Sequence, residues 1–196
     1  MASTPIDLKR YHSENANRYA DLMSMLQDLK ESCLHFHAGE AVCAESHAHS
    51  NYSNQLLAKA HWLAGATLYG RVFNGEARAF DRHDFIMNLR ADLYQFHGWL
   101  LDLHNKHMNH AVNLFEEVTP TISRGNGDTG VGYIGVRVIN PGQSVMHQCF
   151  RFVREILRLL EVEAGAAYKR FRAEAEDLDD QFLESLPPVD PHSASN

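Results

Sequence analysis

The stretch RHDFIMNLRADLYQFHGWLLDLHNKH, residues 82–107, decides the fold. Ile86, Leu89, Leu93, Phe96, Leu100 and Leu103 recur along it at spacings of three and four, which puts them on one side of an α-helix. Three further segments share that period. Over 13–37 the stripe is Tyr19, Leu22, Leu26, Leu29, Cys33 and Phe36, with Ser13 and Glu14 as a start and Gly39 as a stop. The polar stretch 39–54 reads as a loop. A helix over 54–79 follows, with Leu57, Ala60, Ala64, Leu68 and Val72 as its inward side. Gly65, Gly70 and Gly75 each lower its helix propensity by roughly 1 kcal/mol relative to alanine, which a close helix–helix contact would explain. The last helix, over 142–183, carries Val145, Cys149, Phe152, Ile156, Leu159, Leu160, Ala166, Ala167 and Phe171, and its charged part from 172 to 180 is expected to project into solvent.

Between the third and fourth helices the texture changes. Residues 112–122 and 131–139 are β-prone, and Arg124-Gly125-Asn126-Gly127-Asp128-Thr129-Gly130 separates them, the pattern of a β-hairpin. The expected class is therefore mainly all-α: a four-to-five-helix bundle with a β-hairpin, 112–139, inserted between the last two long helices. Residues 1–186 are expected to form one domain, and 187–196, which include Pro187, Pro188 and Pro191, a disordered tail.

The 196 residues carry 18 Lys and Arg against 25 Asp and Glu, a net charge of −7. That balance excludes a chain-wide grip on nucleic acid, which rests on clustered cations, and leaves room for a local basic site. A chain of this length buries about 70% of its unfolded surface, enough for a core without a disulfide or metal staple. No uncharged apolar run approaches ~18 residues, so no membrane span is expected. Residues 1–7 have neither a basic segment nor an apolar stretch, so no secretory signal is expected and the chain reads as cytoplasmic. Cys33, Cys43 and Cys149 form no C-x-x-C pair and read as free thiols. Thirteen histidines are the compositional oddity, and they bring acid–base chemistry into consideration.

Several letter patterns fail on context. Gly125-Asn126-Gly127-Asp128-Thr129-Gly130 spells G-x-G-x-x-G, but a dinucleotide site needs a helix after the loop, and here a strand follows. No Glu-x-x-His pair exists for a carboxylate-bridged di-iron bundle. His47 and His49 lack the further ligands of a closed metal site, so no metal or cofactor is expected. Cys33 and Cys149 lie on core stripes, where thiols are inert.

The densest polar cluster is His104-Asn105-Lys106-His107-Met108-Asn109-His110, at the end of the third helix. Residues seven apart differ by only about 20° on a helix, so Arg90, His97 and His104 form a polar row leading to it. Metal-free cleavage of a phosphodiester by a 2′-hydroxyl needs a base near neutral pKa, an acid for the leaving oxygen and donors for the phosphorane. These residue types can supply them. Histidines near a helix C-terminus are also simply favourable with its dipole.

That layout resembles the HEPN superfamily, small all-α proteins of toxin–antitoxin and other defence systems. Many members are metal-independent endoribonucleases acting as dimers. Residues 101–113 resemble its Arg-polar-x(3–5)-His motif, with Asn105 as the polar position, His110 as the histidine and His107 as a second register. The resemblance implies RNA as substrate, His110 as acid–base, Asn105 as orienting donor, and His104 at the phosphate. Lys106, His107, Asn109 and His97 would stand on the substrate side. It also implies a homodimer and an antitoxin-like protein partner. The arginine of the motif is replaced by His104, which lacks a fixed cationic fork. A non-catalytic relative, a dimeric sensor or partner-binding domain, therefore stands beside the enzyme. A third reading places a small-molecule pocket near His61 and Trp62, although His61 falls in line with Leu57, Ala64 and Leu68, as a core histidine would.

Overall fold

The computed structural model describes residues 9–48, 52–74, 80–108, 116–125, 128–137 and 142–189, with side chains over 9–45, 52–74, 80–105 and 142–189. Its elements in chain order are α1 Glu14–Ala48, α2 Tyr52–Asn74, α3 Arg82–Met87, α4 Ala91–Met108, β1 Glu116–Gly125, β2 Asp128–Arg137, α5 Gly142–Glu176 and α6 Asp180–Ser185. The described chain is mostly helical. Helix α1 packs along both α5 and α2, and α4 lies on α2. Strands β1 and β2 run antiparallel, with Glu116 opposite Arg137 and Gly125 opposite Asp128. Among the described residues, no helix is long and apolar enough to cross a membrane.

The start of α1 follows its sequence signal. The Ser13 hydroxyl accepts from the Ala16 amide at 3.0 Å, as a capping serine does. The stop does not. Helix α1 runs through Gly39 to Ala48, because Gly39 is a contact point: a Cβ there would lie 2.9 Å from Met146 Cε of α5 and 3.2 Å from His61 Cβ of α2. Its missing side chain lets three helices meet, and an interior glycine at about 1 kcal/mol is tolerated for that packing.

Helix α2 is rotated from the expected face. Leu57 is 47% exposed and Ala60 also faces out, whereas Ala58, Trp62, Gly65, Ala66, Tyr69, Gly70 and Val72 are buried. Small residues let neighbours approach and the two aromatics fill the space between, an arrangement that outweighs the aliphatic pattern. The stripe of 82–107 does point inward at Leu93, Leu100 and Leu103, but the helix is broken. Asn88 donates from its side-chain amide to the Asp84 carbonyl at 2.8 Å, and such side-chain bonds compete with helix continuation.

The last helix is broken too. It ends at Glu176, and Asp179 caps α6 by accepting from the Phe182 amide at 2.7 Å. The charged stretch over 172–180 is mostly exposed, as expected, and is tied to the start of the chain at Glu174: Tyr11 donates to Glu174 at 2.5 Å, Asn15 donates to it at 2.8 Å, and the Tyr11 ring stacks on Phe171. The first residues of the expected tail, 187–189, are described and make backbone contacts with the start of the chain. Lys9 bridges Pro188 and the Arg10 amide donates to the Pro187 carbonyl at 2.8 Å. Residues 190–196 lie outside the described residues.

Candidate functional site

The histidines His97 and His104 occupy one row of α4, and both face α2. They are 7% and 8% exposed. At His97, Nδ1 lies 2.5 Å from the Tyr69 hydroxyl and the ring sits edge-on to Phe73. Burial pushes the His97 pKa down to about 4 and holds Tyr69 well above the usual phenol value. The phenol therefore keeps its proton and His97 is neutral, with its Nδ1 hydrogen-bonded to the Tyr69 hydroxyl. A shallow cleft of about 300 Å³ lined by Phe73, Arg82, His83, Ile86 and His97 lies beside it.

The other ring is held harder. His104 Nδ1 is 3.0 Å from Asn74 Nδ2 and 3.2 Å from Asn105 Oδ1, while Asn74 Nδ2 donates to Asn105 Oδ1 at 2.9 Å. One amide group carries two hydrogens, so Asn74 can reach both His104 Nδ1 and Asn105 Oδ1. The ring lies flat against α2 at Gly70, where a Cβ would overlap three of its atoms. The imidazole fills the space that the glycine leaves.

These placements bear directly on the expected roles. Both rings are buried in the α2–α4 seam, His104 with its Nδ1 beside Asn74 and His97 with its Nδ1 beside Tyr69. That is where the structure puts the residue expected at the phosphate and one of those expected on the substrate side. Arg90 precedes α4, is exposed and pairs with Asp92 at 3.2 Å; it does not continue the row. Asn105 is half-buried and orients Asn74. Asn109 and His110 lie outside the described residues, as do the side chains of Lys106 and His107. The structure thus brings His104 and Asn105 together and leaves their relation to His110 open.

Tyr69 and Asn74, which determine what both histidines can do, escaped the sequence reading. The available signal was their place on α2, Tyr69 next to Gly70 and Asn74 about one turn beyond it. A second polar seam was also missed. Along α1–α2, Arg71 donates to Asp28 at 3.0 Å, Ser32 donates to the Gly65 carbonyl at 2.7 Å, and His35 and His61 meet through Nδ1 at 3.1 Å. Burial, then the charge of His35, lowers the His61 pKa. His61 is a partnered seam residue and Trp62 is buried.

The remaining candidates are quiet. Cys33, Cys43 and Cys149 are free thiols, and burial drives Cys149 up to about 12, away from the thiolate that nucleophilic chemistry requires. Among the described residues, no group of three or more His, Cys, Asp or Glu could hold a metal ion. No family model matches the chain, and no curated protein or solved structure matches it either.

Proposed function

We propose that this chain is a HEPN-like, non-catalytic binding domain, in which the histidine row at the end of α4 holds the bundle together. The observation that carries this reading is the seating of His104. Its ring is buried on Gly70 and its Nδ1 lies 3.0 Å from Asn74 Nδ2, which supports a packing use of the position that would contact phosphate in an active relative. RNA, a second copy of the chain and an antitoxin-like protein are the partners that the resemblance suggests. The inserted hairpin over 112–139 belongs to the proposal: a two-stranded sheet has unpaired edges that favour further pairing. Exposed Leu34, Leu56 and Leu57 on α1 and α2 offer apolar surface for association.

The test is incubation of the purified chain with RNA in EDTA. Neither the unmodified protein nor His110→Ala should produce cyclic-phosphate ends, and light scattering should give a dimer. Cleavage that persists in EDTA and disappears in His110→Ala, with an unchanged melt, would overturn the non-catalytic reading in favour of a metal-independent endoribonuclease. A monomer at high concentration would remove the dimer.

A further inference from the structure

Where the start of α4 lies against α5, a groove of about 450 Å³ opens between them. Its floor is apolar, made by Leu93, Phe96 and Phe152, and its rim is exposed and rich in arginine: Arg90 just before α4, Arg151 and Arg154 from α5. Two carboxylates stand in the same groove, and both already have a guanidinium. Asp92 is held by Arg90 at 3.2 Å, and Glu155 by Arg158 at 3.0 Å. Among the described residues, Arg151 and Arg154 form no ion pair; the Arg154 guanidinium rests 5.4 Å over the Phe150 ring and is near enough to Glu155 to help lower that carboxyl's pKa. The groove therefore holds two exposed guanidiniums outside any ion pair among the described residues, on a chain whose net charge is −7.

We propose that this groove binds a single phosphate ester of a small molecule. Arg151 and Arg154 take the phosphate oxygens, Gln148 adds an amide donor, and the ester's organic part lies on Phe96 and Leu93. Arginine presents planar paired donors that match phosphate geometry. The volume falls within the range of about 300–1,000 Å³ common for small-molecule sites. One phosphate suits the site better than a nucleic-acid strand. Asp92 and Glu155 stand beside the arginines, so a longer polyanion would run over carboxylates, and the chain's net charge repels it. The proposal rests on residues outside the His97–His104 seam, so each can fail without the other.

Calorimetric titration with adenosine 5′-monophosphate at low salt tests it. Saturable binding is expected, weakened about tenfold or more in Arg151→Glu/Arg154→Glu, as charge-assisted hydrogen bonds are lost. Arg151→Lys/Arg154→Lys, which keeps charge but not the forks, should bind with intermediate affinity, and Asp92→Asn should tighten binding. Thermal melts check that each variant is folded. The proposal is overturned by absence of saturable binding to the folded protein, or by unchanged affinity in the double glutamate variant. It is equally overturned if a 12-nucleotide oligouridylate binds more tightly with a salt slope of several phosphates, or if hexaglutamate competes as well as the nucleotide.

Discussion

Replacing Gly70 by alanine places a methyl group inside the space of the His104 ring. The overlap involves Cδ2, Cγ and Nε2, all within 3.0 Å of the new carbon, and the ring is pinned by Asn74. Neither side yields easily, since the glycine belongs to a helix backbone and the imidazole is buried. Overpacking of this kind costs about 1–3 kcal/mol, against which the better helix propensity of alanine returns about 1 kcal/mol. Gly70→Ala alone should therefore destabilise by up to about 2 kcal/mol. In a His104→Ala background the clash is gone, and the same change should become stabilising by up to about 1 kcal/mol. A double-mutant cycle then gives a coupling of about 2 kcal/mol. Urea unfolding followed by circular dichroism at constant slope measures all four corners. Additivity within about 0.5 kcal/mol, or a stabilising Gly70→Ala in the unmodified chain, would show that the ring does not lie on that glycine.

Two further outcomes follow from the buried groups. The folded-state pKa of His97, about 4, lies below the unfolded value of about 6.5, so its contribution is complete above pH 6.5 and is lost as pH falls toward 4. The loss amounts to at most about 3 kcal/mol; His97→Gln, which can still accept from Tyr69, should flatten the stability profile between those values, and an unaltered slope would contradict the assignment. Cys149, fully buried with its pKa raised to about 12, should resist a thiol reagent at neutral pH until the protein is unfolded in urea. Modification in the folded state at the rate of a free thiol would refute that placement.

The long stripes were legible because each helix buries a continuous apolar side. Leu22, Leu26 and Leu29 on α1, Leu93, Leu100 and Leu103 on α4, and Phe152, Ile156 and Leu160 on α5 all face the core. Periodicity failed where contact is made by absence of a side chain. Gly39 looked like a stop signal because its partner Met146 lies 107 residues further along the chain, and α2 turned by a fraction of a turn because glycine and alanine pack more closely than Leu57 could. The break at Asn88 was hidden because the apolar stripe continues across it while the backbone of Asn88, at φ −90° and ψ 1°, leaves the helix as the C-cap of α3. The site was half legible. The sequence placed His97 and His104 on one row, but whether such a row faces water or a neighbouring helix depends on Tyr69, Gly70 and Asn74, some thirty positions earlier.

The most direct test of the seam is the state of its His97 ring. Nitrogen-15 spectra of histidine-labelled protein at pH 7 should show His97 as a neutral imidazole in a single tautomer, with Nδ1 in a hydrogen bond to Tyr69. A ring that averages rapidly between tautomers, as an imidazole in open water does, would contradict the account and return His97 to the groups free to meet a phosphate.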